Sequence, residues 1–135
     1  MDQKKGFSLT EILVAVVIMS VLAGVAIPGF SKAKNKAAAN QAINYLRTIR
    51  TSQKMYYSRF KNYLARADSA GIRSELGAET NNANGYSFNV TAPTPTTGFT
   101  ATAVNTATGE TITLNEKGEW SGTAAAYIPK TGNES

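Results

Sequence analysis

Directly after a single carboxylate at Glu11, residues 12–31 run for 20 positions without a charged side chain. About 20 apolar residues in a helix span the hydrocarbon thickness of a bilayer, so this stretch has the length of a membrane crossing. The pattern then becomes amphipathic. Ala39, Ala42, Ile43, Leu46, Ile49, Gln53, Tyr56, Tyr57, Phe60 and Leu64 recur at three- and four-residue intervals, the spacing of one helical face. Arg47, Arg50, Lys54 and Lys61 fall mostly off that stripe. No glycine lies between Phe30 and Gly71, and no proline between Pro28 and Pro93. The pattern predicts one helix from about Phe7 to about Lys61, on the order of 80 Å long at 1.5 Å per residue. Pro28, close to Gly24, removes a backbone hydrogen bond and predicts a kink or loosening near residues 24–28.

Residues 62–85 form a connector of mixed character, with Gly71, Gly77 and the cluster Asn81-Asn82-Ala83-Asn84-Gly85. Its middle, Ile72 to Leu76, predicts a short helical turn. The period then changes to 2 in Tyr86–Thr91, in Phe99–Val104 and in Thr111–Leu114. Pro93, Pro95 and Gly98 punctuate the first loop, Thr108-Gly109 the second, and Asn115-Glu116-Lys117-Gly118 a turn before Trp120. This predicts an antiparallel meander of three to four strands over 86–120 and a loop-like tail over 121–135. An apolar sheet face must be buried against something. The amphipathic helix 31–61 is the long element available, which gives an α+β head. Its expected core holds Phe60, Phe88, Val90, Phe99, Ile112, Leu114 and Trp120.

Charge sharpens the picture more than composition does. Residues 12–67 carry nine basic side chains and no acidic one, whereas residues 68–135 carry seven acids against three bases. The chain thus has a basic middle and an acidic end. Lys4 and Lys5 precede the apolar run, but Lys32, Lys34 and Lys36 follow it, so the positive-inside rule leaves the orientation open. The sequence has neither cysteine nor histidine. That excludes disulfides and thiol chemistry and removes the commonest general base and transition-metal ligands. Nothing resembles a nucleophile–base pair, a phosphate loop or a catalytic carboxylate pair. The expected role is non-enzymatic, with no cofactor and no metal.

An ionisable group inside a membrane-length apolar run costs roughly 2.5–3.5 kcal/mol at the bilayer centre, so Glu11 calls for a partner. The segment Lys5-Gly6-Phe7-Ser8-Leu9-Thr10-Glu11-Ile12-Leu13 resembles the class III signal sequence of type IV pilins and of the related type II secretion pseudopilins. The resemblance implies a leader over 1–6 and cleavage by a prepilin peptidase between Gly6 and Phe7, with N-methylation of Phe7. It also implies a transmembrane and filament-core helix over 7–30, which contains the family's glutamate (Glu11) and helix proline (Pro28). The globular head would then occupy 31–135. The implied partners are further copies in a helical filament, the inner membrane, the peptidase and the pilus assembly machinery. The implied location is the inner membrane first, then a surface pilus or periplasmic filament.

Two features depart from the family pattern. Thr10 stands where a bulky aliphatic residue is usual, and the frequent C-terminal disulfide is impossible. Residues 110–135 also lack the Asp/Asn-rich loop with which major pseudopilins bind calcium, so no such site is expected.

Other readings of the same residues are a type II secretion pseudopilin, a minor or competence pilin that binds DNA, and a monomeric membrane-anchored binding module. Outside the family, a secreted protein with a conventional signal peptide cut after Ala26 is the alternative. Arg47, Arg50, Lys54, Arg59 and Lys61 form a candidate basic interaction face, for DNA phosphates or for the acidic head of a neighbouring copy. Tyr45, Tyr56, Tyr57, Phe60 and Tyr63 are expected to serve packing. Asn89-Val90-Thr91 matches the N-glycosylation triplet but falls in a predicted strand.

Overall fold

The first helix starts at Leu9, where the polar cap residue Ser8 meets the apolar run. In the computed structural model, which describes residues 5–80 and 84–130, this helix (α1, Leu9–Phe60) continues unbroken through Pro28. Met1–Lys4, within the expected leader, Asn81–Ala83 of the connector and Thr131–Ser135 of the tail lie outside the described residues. The chain divides between Asn35 and Lys36 into two units.

In the first unit, every described side chain from Lys5 to Asn35 is exposed. Among them are Leu9, Ile12, Leu13, Val16, Val17, Ile18, Val21, Leu22, Ile27 and Phe30, each more than half accessible. An 18-residue window within α1 is long and apolar enough to cross a membrane, and none of that window is buried. A helix apolar all round is stable in lipid or against other apolar helices, not in water.

The second unit is an α+β fold. The sheet has four antiparallel strands, β1 (Tyr86–Thr91), β2 (Thr100–Asn105), β3 (Thr111–Asn115) and β4 (Trp120–Ser121), in the order β1-β2-β3-β4. Strand alternation sends Tyr86, Phe88, Val90, Ala101, Ala103, Ile112, Leu114 and Trp120 to one face, all buried. That face joins Ala39, Ala42, Ile43, Leu46 and Ile49 of α1 in one core. Tyr45 meets Phe88 edge-on, with ring centroids 5.6 Å apart. Each large apolar side chain buried in this core contributes about 1.5–3 kcal/mol. The opposite face is hydroxyl-rich. The register places Asn89, Thr102, Thr113 and Ser121 in one row across all four strands.

The helical stripe stops short of its predicted end. Phe60 is 59% exposed rather than in the core, and it packs on Tyr56 at 4.5 Å between centroids. The reason is local. The helix ends at Phe60, Lys61 turns left-handed (φ 56°), and the chain folds back, so Tyr63 takes the inner position against Phe99 at 4.9 Å. Gln53, fully buried, fastens this return. Its Nε2 donates to the Leu64 carbonyl (2.6 Å) and its Oε1 accepts from the Leu64 N–H (3.0 Å).

The predicted turn within the connector is a two-turn helix, α2 (Ser69–Leu76). Asp68 caps it by accepting from the Gly71 N–H at 2.6 Å, and Gly77 closes it in the left-handed region at φ 65°. Residue 66 forms an isolated bridge with Val90 on the open edge of β1, through N–H···O bonds of 2.9 and 2.6 Å. The Arg66 side chain forks onto Glu75, an ion pair that raises the arginine pKa. This pair is exposed and contributes little to stability.

The described part of the tail, up to Lys130, has no strand beyond β4, yet it packs. Ala124 is buried and its N–H donates to the Thr111 carbonyl at 3.1 Å, while Tyr127 and Ile128 lie against the core. This approach depends on Gly122, whose φ is 129° and where a Cβ would stand 2.2 Å from the Thr111 oxygen. Gly122→Ala is therefore expected to destabilise the protein by at least about 1–3 kcal/mol, the range for a residue forced into such backbone. Thermal unfolding of the full chain in detergent checks this; an unchanged midpoint would mean the tail detaches freely.

Candidate processing and assembly site

The Lys5–Ser8 segment that precedes α1 has no regular structure, and all four residues are exposed. The Gly6–Phe7 bond thus lies in accessible, non-helical chain just ahead of the first helical residue. Phe7 is 85% exposed, and a Cβ built on Gly6 meets nothing within 4 Å. The fold itself therefore makes no demand for glycine at position 6, so any such demand must come from a binding partner.

Glu11 has a local partner of its own. The Ser8 N–H donates to its Oε2 at 3.1 Å, and the Glu11 N–H donates to Ser8 Oγ at 3.3 Å. This reciprocal pair is a capping box: the side chains of the cap residue and of the third helical residue each satisfy a backbone donor of the first turn. The carboxylate also sits where the helix dipole favours negative charge. Sequence reasoning took Glu11 only as a charge in search of a partner and missed Ser8, although the Ser-x-x-Glu spacing signals this motif. One carboxylate oxygen accepts the Ser8 N–H, and acceptor capacity remains on the group. An open hollow beside Glu11 is lined by Ser8, Thr10, Val14, Ala15 and Ile18.

Pro28 lies farther along the same exposed run, within α1. The candidate basic residues all lie in the second unit, and they differ in engagement. Arg50 donates from Nε and Nη2 to the Glu116 carbonyl at 3.3 and 3.2 Å, which ties α1 to the β3–β4 turn. Arg47 lies over the Trp120 ring, 5.6 Å from its centroid, and donates to Asn44 Oδ1 at 3.2 Å. Lys54, Arg59 and Lys61 are exposed. Arg59 borders an open groove with Met55, Phe60 and Glu75.

Comparisons with known proteins bear on this N-terminal site. The family model for the prokaryotic N-terminal methylation motif matches residues 1–27. The chain is also 31% identical over 90 residues to the type IV major pilin protein PilA of Myxococcus xanthus (strain DK1622). The aligned region is 67% of this chain and 38% of that protein, so the chain matches well under half the length of this relative. No solved structure matches the chain significantly.

Proposed function

We infer from the methylation motif and the similarity to a major pilin that this chain belongs to the type IV pilin family, and we propose that it is a structural subunit of a type IV pilus or pilus-like filament. A prepilin peptidase cuts between Gly6 and Phe7, the new amine of Phe7 is methylated, and the subunit waits in the inner membrane through residues 7–30. Glu11 carries the reading. Its carboxylate is already oriented by the capping box and stands exposed at the start of an apolar helix that none of the described residues covers.

In the proposed assembly step, the apolar helices leave the lipid and pack on one another. The positive amine of Phe7 on one copy meets Glu11 on the next, so neither charge is left unpaired in a dry core. The hollow beside Glu11 would receive the aromatic ring of the incoming Phe7. Lys32, Lys34 and Lys36 would face lipid headgroups before assembly, where each basic residue near an anionic surface is worth about 1 kcal/mol. Residues 31–135 would form the outer head, at the cell surface or in the periplasm.

The mature N-terminus tests the processing step. Mass analysis of the protein from its native membrane is expected to find a chain that starts at methylated Phe7. A start at Ile27 would instead establish a conventional signal peptide and remove the filament helix from the mature protein.

A further inference from the structure

The loop that joins β1 to β2 is chemically uniform. Six of its residues, Ala92-Pro93-Thr94-Pro95-Thr96-Thr97, supply three threonines and two prolines. All but Ala92 are exposed. No charged residue occurs anywhere from Thr80 to Gly109. A solvent-facing loop can remain soluble with charges or with hydroxyls, and this one has only hydroxyls.

Its backbone is fixed. The N–H groups of Thr97 and Gly98 donate to the Thr94 carbonyl at 3.0 and 3.2 Å, and Pro95 occupies the position in that turn where proline is favoured. The Tyr63 N–H donates to the Pro95 carbonyl at 2.7 Å, and the Tyr57 hydroxyl donates to that of Thr96 at 3.3 Å. The rings of Tyr57 and Tyr63 stack at 4.6 Å beneath the loop. Burial, then the neighbouring Tyr57, pushes the Tyr63 phenol pKa upward.

The hydroxyls divide within this fixed frame. Thr97 Oγ1 is used internally, against the Thr94 carbonyl at 3.3 Å. The hydroxyls of Thr94 and Thr96 make no hydrogen bond with the described residues. Thr94 is flanked by prolines on both sides, so neither neighbour offers it an N–H. The loop therefore presents two free, exposed nucleophilic hydroxyls on rigid, proline-constrained, uncharged chain, the composition that marks O-glycosylated segments.

We propose that Thr94 and Thr96 are acceptors for O-linked glycosylation by a neutral sugar. In the transfer, threonine Oγ1 forms a bond to the anomeric carbon of a sugar carried on a phosphate-linked donor. The bond from that carbon to the phosphate oxygen breaks, its electron pair leaves with the phosphate, and the hydroxyl proton passes to a base of the transferring enzyme. The sequence contains no basic residue between Arg73 and Lys117, so the segment carries no arginine or lysine of its own to pair with a phosphate ester. A neutral glycan needs none.

The test is intact-mass measurement of the full chain purified from its native host, with electron-transfer fragmentation of the peptide that contains residues 91–97. The expected result is a mass above that of the processed chain by hexose- or aminohexose-type increments, located on Thr94 or Thr96. The double variant Thr94→Ala, Thr96→Ala is expected to lose the increment while its circular dichroism is unchanged, since neither hydroxyl supports the fold. An unmodified peptide would overturn the proposal, as would a phosphate-sized increment or an increment confined to other residues. The result does not depend on filament assembly, so it stands apart from the filament reading.

Discussion

Glu11→Gln is expected to leave a processed, membrane-inserted, normally started helix and to abolish filaments. The two roles of Glu11 separate in this substitution. Glutamine satisfies a capping box as glutamate does, so its side-chain oxygen continues to accept the Ser8 N–H. What it removes is the charge that would neutralise the Phe7 amine of the neighbouring copy. An uncompensated buried charge costs roughly 3–5 kcal/mol. Each 1.4 kcal/mol is about tenfold in an equilibrium constant, so the penalty exceeds roughly a hundredfold for each subunit added. A filament repeats the contact at every subunit, so surface filaments should vanish by electron microscopy while membrane levels of the variant match the wild type. Ser8→Ala is the complementary control. It removes half of the cap, at a cost of about 1 kcal/mol in helix stability, but leaves the charge, and it should still assemble. If the glutamine variant forms normal filaments, the carboxylate serves only the helix cap and the proposed inter-subunit pair does not exist.

The second large effect is expected at Gln53. Its amide closes both backbone groups of Leu64 from a fully buried position. Gln53→Leu keeps similar volume and takes this partner from the part-buried N–H and carbonyl of Leu64, each at about 1–3 kcal/mol. Some of this returns as apolar transfer, so the net loss is about 2–4 kcal/mol. For a head of about 100 residues, this corresponds to a midpoint roughly 10–25 °C lower. Melting of the full-length variant in detergent, followed by far-ultraviolet circular dichroism, measures it. A change below a couple of degrees would mean that water takes over both bonds and that the return of the chain at Lys61 does not depend on the glutamine.

These two residues also mark where sequence reasoning succeeded and where it fell short. Gln53 sits on the three-and-four stripe, and the stripe was legible because period alone decides which side of a helix is buried. The strands were legible for the same reason: Tyr86, Phe88 and Val90 alternate with polar neighbours, as do Ile112 and Leu114. That Gln53 would hold Leu64 was not legible, because a hydrogen bond across 11 residues depends on how the chain turns at Lys61. Phe60 was misplaced on the same account. It continues the stripe in sequence but lies at the last residue of the helix, where the stripe has no sheet to meet. The extent of α2 could have been found from Asp68 and Gly77, its two caps, as could the partnership of Ser8 with Glu11. The packed tail left no such signal. Ala124, Tyr127 and Ile128 have no period, and only the close approach of Gly122 to Thr111 brings them onto the core.

The basic middle of the chain reads differently once folded. Arg47 and Arg50 are engaged within the head, at the Trp120 ring and the Glu116 carbonyl, while Lys54, Arg59 and Lys61 remain exposed. Any contact with the acidic part of a neighbouring copy would therefore centre on the last two turns of α1 and the residue that follows it.

The measurement that tests the account most directly is the composition of filaments sheared from the surface of the native host. Mass spectrometry of the purified filaments is expected to identify this chain as a subunit that begins at methylated Phe7, with residues 1–6 absent. Filaments that lack the chain, while the membrane fraction holds it with Met1 through Gly6 still attached, would contradict the account.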